Sequence, residues 1–282
     1  MSNSNVVRTG LASLIQASQY LGKRIRQLPN STLNQKLNIH QDVALADSDM
    51  PVVQYVAIGN GGHNFTVGGN GRVKWRAVHH TVKDAALYNQ LPFVLRRPTE
   101  DLTAQERLKY RLRRLETHHG VQYVAYYLRV LDLSETEVVL EMRHVEDGVT
   151  TSTPYEPTIE SLNPVPPVLI AGEAVTTTGD YLASTAKIPF RMTAEDVEEF
   201  VNAVKIIEGE DGYAVISEMA TVSGVDRAVV GDFNGSTQSY TDAICAQVTS
   251  FISTAWVMEY QTDGVTLTLD VGNVEPLLAV SN

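Results

Sequence analysis

The most concentrated chemistry in the sequence is a run of positive charge. Five basic residues lie within eight positions of the stretch DLTAQERLKYRLRRLETHHG, residues 101–120, although the chain of 282 residues carries a net charge of −11. Guanidinium groups pair bidentately with carboxylates and with phosphates, so this run can bind either an acidic protein surface or a nucleic acid. Its five members are Arg107, Lys109, Arg111, Arg113 and Arg114.

The distribution of charge along the chain favours a protein partner. Residues 1–118 hold 16 Lys and Arg against 8 Asp and Glu, whereas residues 119–282 hold 6 against 25. The acidic part repels phosphate and offers carboxylates to a neighbouring molecule. We therefore expect the five basic residues to form an assembly interface with other proteins or with copies of the chain, and we expect no nucleic-acid partner. Pairing between the two halves of one chain is the alternative.

The histidines lack the spacing of a metal site. Zinc sites use patterns such as His-Glu-x-x-His or pairs of cysteines, and neither occurs. Adjacent histidines also project in different directions on a helix and to opposite faces on a strand. We therefore interpret all seven as surface or capping residues and expect no metal and no cofactor. They are His40, His63, His79, His80, His118, His119 and His144.

The sequence also offers no nucleophile in a catalytic setting. A Gly-x-Ser-x-Gly motif does not occur. Cys245, the one cysteine, lies in the apolar run TDAICAQV, where we expect it to be buried and inert. The carboxylate-rich stretches EDVEEF and EGEDG are typical of an acidic half, so we assign them no acid–base role. We expect no catalytic residues and no enzymatic activity.

The elements that carry the basic run begin with a helix start signal. Thr103 and Glu106 form a capping box, and Gly120 is a stop signal, so the pattern predicts a helix over residues 103–117. Only Leu108, Leu112 and Leu115 form an apolar stripe on it. Most of its basic surface should then face water or a partner.

Other segments alternate between helix and strand signals. Apolar periodicity predicts amphipathic helices over residues 6–28 and 192–207, the first weakened by Gly22 and ended by Pro29. β-Rich runs predict strands over residues 52–58 and 213–222. Six glycines from Gly59 to Gly71 predict a turn-rich surface loop.

Two hairpins are predicted from paired strand signals. The runs 121–133 and 137–145 are separated by only three residues, so we expect them to pair. Residues 255–272 are interpreted as a hairpin around Asp263-Gly264, because Asp-Gly favours a type I′ turn. Together these signals predict an α+β, strand-rich fold with antiparallel β-sheets and a few amphipathic helices.

A proline-rich stretch supplies the best candidate boundary. Five prolines fall within fourteen positions from Pro154 to Pro167, which predicts an extended connection. The predicted organisation has a helical arm and linker (1–50), the first part of a β-rich domain with the basic helix (51–150), the connection (151–170) and an acidic α+β part (171–282).

The sequence lacks recognisable targeting patterns, which predicts a protein that is made and kept in the cytoplasm. The first residues lack a secretory signal pattern, and no apolar run is long enough for a membrane span. A single cysteine excludes an intrachain disulfide, which is typical of a reducing compartment. We expect a soluble protein without membrane contact.

Several phrases resemble virion proteins of tailed bacteriophages. The strand followed by glycines in VVQYVAIGNGGHN, the step DAALYNQLPFVLR and the strand YAVISEMATVSGVD are similar to those of tail-collar-fibre and baseplate-associated proteins. The run LRRLETHHGVQYVAYYLRVLDLS resembles structural proteins of large contractile-tailed phages. The resemblance spans residues 52–275 and consists of short motifs.

The resemblance implies a structural subunit of the tail, baseplate, collar or neck that attaches neighbouring particle proteins. A virion component of this kind is assembled in the cytoplasm of the host bacterium. The chain lacks the long repetitive shaft of a fibre protein, which favours an adaptor or ring-forming part over receptor binding. Two alternatives remain open: a DNA-contacting head–tail connector and a particle-associated glycan hydrolase.

Overall fold

The structure is a computed structural model that describes residues 5–67, 69–71, 73–166, 168, 174–209, 214–258 and 262–281. Strands account for 51% of the chain and helices for 17%. The prediction of a strand-rich chain with antiparallel sheets is confirmed, and these proportions fit a mostly-β class. Within the described ranges, no helix is long and apolar enough to cross a lipid bilayer.

The elements follow one another along the chain as mostly strands with short helices between them. The helices are α1 (Gly10–Tyr20), α2 (Leu33–Leu37), α3 (Ala104–Arg107), α4 (Ile159–Leu162) and α5 (Ala194–Glu208). The strands are β1 (Asn5–Arg8), β2 (Val52–Gly59), β3 (His63–Val67), β4 (Val73–Ala77), β5 (Gln90–Leu91), β6 (Val94–Arg96), β7 (Tyr110–His118), β8 (Val121–Val130), β9 (Val138–Glu146), β10 (Val149–Pro154), β11 (Ala174–Met192), β12 (Ala214–Phe233), β13 (Ser236–Met258) and β14 (Val265–Ser281).

The chain divides into two compact units. The first consists of Met1–Leu131 and Arg191–Val265, and the second of Asp132–Phe190 and Thr266–Asn282. The proline-rich stretch therefore lies within the second unit and does not separate the units, in contrast to the prediction. Proline interrupts a strand locally, but it does not determine which sheet the flanking strands join.

The first unit is built on an eight-stranded antiparallel sheet. Its strand order is β1-β13-β12-β2-β8-β6, with β5 also paired to β2 and β7 to β8. Helix α5 confirms the prediction for residues 192–207, and Thr193 caps it together with Asp196. The apolar face of α5 is buried, with Phe200 inaccessible to solvent. The helix is therefore held by packing as well as by its cap.

The second unit contains a four-stranded sheet in the order β10-β9-β11-β14. Strand β9 pairs antiparallel with both β10 and β11. Few of its described apolar residues are fully buried; they are Ala183, Ile188, Phe190 and Leu269. The second unit thus has long strands over a small core.

Three hairpins close with two-residue turns that share one geometry. His119-Gly120 joins β7 to β8, Asp147-Gly148 joins β9 to β10, and Asn234-Gly235 joins β12 to β13. All six residues have positive φ, between 49° and 82°. Positive φ at both central positions defines the type I′ turn, whose twist matches that of the paired strands.

Both predicted hairpins are wrong, although their strands exist. Strands β8 and β9 belong to different sheets, and so do β13 and β14. Asp263-Gly264 therefore separates two strands that do not pair with each other.

The predicted helix 6–28 is shorter than expected. It begins at Gly10 and ends at Tyr20. Gly22 adopts a φ of 58°, and a right-handed helix cannot continue through a residue with positive φ.

Candidate functional site

The basic run forms a strand instead of the predicted helix 103–117. Thr103 and Glu106 form the expected capping box, but α3 ends after a single turn at Arg107. Strand β7 then pairs with β8 from Tyr110 to His118. The pairing with an aromatic and β-branched strand outweighs the local helix signal, because strand preference is decided largely by cross-strand packing.

Arg111 is buried and bound to an acid of its own chain. Its Nε and Nη2 atoms donate to the two carboxylate oxygens of Asp226, each at 2.7 Å. The hydroxyl of Tyr55 donates to the same carboxylate at 2.6 Å. Burial raises the pKa of Asp226, but the Arg111 guanidinium and the Tyr55 hydroxyl outweigh it, and the pKa lies below its usual value.

Arg113 has a similar environment. Only 5% of its side chain is exposed, and its Nη2 atom lies 2.9 Å from the Asp101 carboxylate. Its guanidinium stacks 4.0 Å above the centre of the Phe233 ring. Tyr126 donates a hydrogen bond of 2.7 Å to the second oxygen of Asp101. Arg113 therefore combines an ion pair with a cation–π contact.

The other three predicted interface residues lie nearer the surface. Lys109 is exposed, and Arg114 lies 3.7 Å from Glu116. Arg107 donates to the Leu102 carbonyl oxygen at 2.6 Å and is half-buried. The predicted five-residue docking surface is therefore corrected: Arg111 and Arg113 are inside the first unit, and a role of the remaining three in assembly stays a prediction.

Pairing between the basic and acidic halves occurs within one chain. Besides Arg111 with Asp226, Arg96 donates from Nε to Glu199 at 3.0 Å. Each pair joins a residue before position 119 to one after it. Part of the charge asymmetry of the sequence is thus neutralised by folding, as the alternative prediction required.

A second buried charge cluster centres on His80. Its Nδ1 atom lies 3.1 Å from Asp84 and its Nε2 atom 2.7 Å from Glu218. The imidazole is stacked between the rings of Tyr88 and Phe251, with centroid distances of 4.0 and 3.8 Å. Only 1% of the His80 side chain and none of the Glu218 side chain is exposed.

Glu218 is saturated with hydrogen-bond donors. Its Oε1 atom accepts from the backbone N–H groups of Gly61 at 3.0 Å and Asn89 at 2.9 Å. Its Oε2 atom accepts from the N–H of Tyr88 at 3.0 Å and from His80. Three separate chain segments are therefore tied to one carboxylate on β12.

The glycines of the predicted surface loop are required by this arrangement. A Cβ atom at Gly59 would lie 2.6 Å from the Glu218 carboxylate, and one at Gly61 would lie 2.9 Å from it. A Cβ atom at Gly62 would lie 2.3 Å from the Ser217 carbonyl oxygen. The first three glycines permit close approach to β12, so this part is packed against the sheet, and β3 and β4 follow it as a short hairpin.

The electrostatics of the cluster favour its charged form. Burial raises the pKa of Glu218, but hydrogen bonds from His80 and from three backbone N–H groups bring it below its usual value. The pKa of Asp84 is also lowered: burial opposes ionisation, and bonds from Thr81 and His80 outweigh it. The His80 ring is thus held between two carboxylates, at 3.1 Å and 2.7 Å from its two nitrogens.

This cluster holds structure together and does not present a reacting atom. Each carboxylate oxygen of Glu218 accepts two bonds, and the imidazole is enclosed by two rings. Such a network fixes the glycine segment, the segment around Tyr88 and strand β12 in one arrangement. The interpretation of all histidines as surface or capping residues is therefore wrong for His80.

Two signals in the sequence could have identified the cluster. His80 and Asp84 are four residues apart, and the glycines at 59–62 directly follow a buried strand. Neither signal points to Glu218, which is 138 positions from His80.

Cys245 is buried as predicted, and burial raises the pKa of its thiol to about 11.

The second unit presents a different kind of surface, with exposed aliphatic side chains. Val138 on β9 is 74% exposed and Val149 on β10 is 63% exposed. Leu140 and Val145 on β9 are also exposed. Leu162 of α4 is 78% exposed. Acidic side chains accompany them, including Glu146 at the end of β9.

Comparison with known proteins gives a family without an assigned activity. The whole chain, residues 1–282, matches the model of a family of unknown function (DUF7208), and the chain belongs to this family. No curated protein and no solved structure matches the sequence.

Proposed function

We propose that the chain is a structural subunit of a bacteriophage virion, in the tail, baseplate, collar or neck, that attaches neighbouring particle proteins through protein–protein contacts. The short motifs that resemble virion proteins of contractile-tailed phages support the setting. One structural observation supports the mode of action: the second unit exposes aliphatic side chains along its strands.

The exposed aliphatic side chains lie on elements that are connected by hydrogen bonds. Val138 and Leu140 are two residues apart on β9 and so lie on one face of the sheet, and Val149 on β10, paired with Glu146, shares that face. Val145 projects from the other face. Isolated apolar residues are normal on a protein surface, but a cluster of them marks an interaction site. Burial against a neighbouring protein would remove these side chains from water.

The first unit suits the role of a rigid support. The buried carboxylate of Glu218 and the mostly buried carboxylate of Asp101 are paired with histidine, arginine and backbone donors, and Asp226 at the surface binds the buried Arg111. Satisfied networks of this kind specify one arrangement of the strands they join. A subunit that transmits force or sets spacing in a particle needs such rigidity.

The DNA-contacting alternative loses its main sequence support, and the buried His80 cluster lends none to the hydrolase alternative. A DNA-contacting connector was suggested by the basic run, but Arg111 and Arg113 bind carboxylates of their own chain. A glycan hydrolase needs two carboxyl groups on opposite sides of a bound sugar. Asp84 and Glu218 instead bind the two sides of the buried His80 imidazole.

The proposal is tested by placing a charge on the exposed aliphatic surface. Val138→Asp should leave the purified chain folded with an unchanged melting temperature, because Val138 is mostly exposed. It should reduce incorporation into particles of the encoding virus at least tenfold, measured by quantitative mass spectrometry of purified particles. The matched control is Val230→Asp, at a valine of β12 in the first unit that is 64% exposed, which should be incorporated normally. Equal incorporation of both variants, or absence of the wild-type chain from particles, would count against the proposal.

A further inference from the structure

We propose that copies of this chain associate head to tail, with the tip of the β9–β10 hairpin of one copy docking into a basic groove on the first unit of the next. The hairpin tip is the segment Val145–Val149, and the basic groove is the surface formed by residues 24–27 and 44–45. This inference rests on the proposed function, because it names the partner and the surfaces of the assembly contact.

The basic groove has an apolar floor and a cationic rim. It encloses about 370 Å³ and is lined by Arg24, Ile25, Arg26, Gln27, Ala44 and Leu45. Ile25 and Leu45 are buried and form the floor. This volume is within the range of sites that enclose a ligand group, so one or two aliphatic side chains fit.

The cations of the groove are accessible. Arg24 is more than half exposed and makes an exposed ion pair of 2.6 Å with Asp47. Arg26 and the neighbouring Lys23 are exposed. Exposed ion pairs of this type contribute little to stability, so Arg24 can exchange Asp47 for another carboxylate at small cost.

Exposed apolar residues flank these cations along the chain. Tyr20 is 89% exposed at the end of α1, and Leu21 and Leu28 are also exposed. The segment from residue 20 to residue 28 therefore combines aromatic, aliphatic and basic groups at the surface. Arginine and aromatic residues with a desolvated apolar centre are typical of protein interfaces.

The hairpin tip has the complementary composition. Its sequence is VEDGV, with Val145 and Val149 exposed on either side of Glu146 and Asp147. Asp147 and Gly148 form a type I′ turn with φ values of 50° and 77°. Val149 is paired with Glu146 and shares one face of the hairpin with it, whereas Val145 projects from the other face. A two-residue turn is rigid, so Val149 and the two carboxylates are presented with little loss of conformational entropy.

Charge complementarity selects a second copy as the partner. The second unit holds twelve Asp and Glu against two Lys and Arg, whereas the first unit holds twenty-one against twenty. Val149 would enter the groove while Glu146, its cross-strand neighbour on the same face, and Asp147 approach Arg24 and Arg26. The two surfaces differ, so the contact is heterologous and generates a ring or a filament.

The test uses charge reversal and mixing of the full-length chain. Wild-type chain should form oligomers at low salt that dissociate as salt rises, measured by sedimentation velocity with light scattering. Arg26→Glu and Glu146→Arg should each weaken association at least tenfold. An equimolar mixture of the two variants should associate again, because each contact then joins a reversed tip to a reversed groove or an unchanged tip to an unchanged groove.

Two matched controls separate this contact from a general charge effect. Lys109→Glu reverses an exposed cation of the basic run, and Glu275→Lys reverses an exposed acid on β14, at the other edge of the four-stranded sheet. Both should associate like the wild type. Weakening by the controls to the same degree, or no recovery in the mixture, would overturn the proposal.

A monomeric wild-type chain at the highest attainable concentration would also overturn it. That result would leave the proposed function standing, because particle incorporation of Val138→Asp is measured independently. Conversely, absence of the chain from particles would contradict the proposed function even if copies associate in solution.

Discussion

At the scale of single residues, neighbouring cations in the basic run have different roles. Arg111 and Arg113 are buried and paired, whereas Lys109 between Arg107 and Arg111 is exposed. Alternation along β7 places successive side chains on opposite faces, but Leu112 interrupts it with a φ of 54°. Arg111 binds Asp226 and Arg113 binds Asp101, both within the first unit.

Removing a buried arginine should destabilise the first unit. Arg113→Ala leaves the Asp101 carboxylate without its cation and removes the contact with Phe233. We expect a loss of about 3–5 kcal/mol in the free energy of unfolding, measured by urea denaturation. Lys109→Ala should leave the free energy of unfolding unchanged. Equal effects of the two substitutions would contradict the assignment of Arg113 to the interior.

The carboxylate of Glu218 should contribute to stability in a comparable way. Glu218→Gln keeps the size of the side chain but removes the negative charge that accepts hydrogen bonds from three backbone N–H groups and lies 2.7 Å from His80. We expect a loss of about 2–4 kcal/mol in the free energy of unfolding at neutral pH, measured by chemical denaturation. Glu100→Gln, at an exposed position, is the control and should have no effect.

The contribution of Glu218 should depend on pH with a defined sign. Its folded-state pKa is lowered, so the unfolded chain binds the proton more readily. The stabilisation is fully present above the ordinary glutamate pKa of about 4.3 and is lost as pH falls through the lower folded value. The difference between wild type and Glu218→Gln should therefore shrink below about pH 4. A difference that stays constant to pH 3 would contradict this origin of the stability.

At the scale of elements, the two-residue turns determine which strands pair as hairpins. His119-Gly120, Asp147-Gly148 and Asn234-Gly235 each have glycine at the second position, with positive φ. Glycine adopts this conformation without the penalty that a Cβ atom causes. Asp263-Gly264 has the same two residues as the turn Asp147-Gly148, yet it lies between β13 and β14, which belong to different sheets.

A glycine substitution tests the importance of the turn conformation. Gly235→Ala places a Cβ atom at a φ of 82°, where nothing lies within 4 Å of the new atom, so strain alone should cost about 1–2 kcal/mol. Gly10→Ala, at the start of α1 with a contact of 3.5 Å, should be neutral or stabilising by up to about 1 kcal/mol. Thermal denaturation of both variants measures their changes in the free energy of unfolding. A destabilised Gly10→Ala together with an unaffected Gly235→Ala would contradict this explanation.

At the scale of the whole molecule, folding redistributes the charge that the sequence divides into a basic and an acidic half. The first unit is almost neutral in composition, whereas the second unit is strongly acidic. The second unit also has the smaller core. Its surface is therefore acidic and aliphatic, which is the basis of the assembly proposals.

The two units should unfold in separate transitions. Phe200→Ala removes a buried ring from α5 in the first unit, and Ile188→Ala removes a buried side chain of β11 in the second. Each should lower the free energy of unfolding of its own unit only, by about 3–5 kcal/mol for Phe200→Ala and about 2–5 kcal/mol for Ile188→Ala. Differential scanning calorimetry measures the two transitions. One transition that both variants shift equally would contradict the division.

The sequence by itself determined the features that depend on neighbouring residues. These include the strand-rich antiparallel character, helix α5 with its Thr193 cap, the capping box at Thr103 and the burial of Cys245. Capping bonds and helix periodicity span only a few positions, so they can be recognised without knowledge of the fold.

Only the tertiary structure decided which strands share a sheet and where the charged side chains go. β8 and β9 are adjacent in the chain yet lie in different sheets, and Glu218 meets His80 across 138 positions. The entropic cost of closing a loop rises only slowly with its length. Residues far apart in the sequence can therefore pair almost as readily as residues close together. Burial and cross-strand packing then select among them, and these depend on the whole chain.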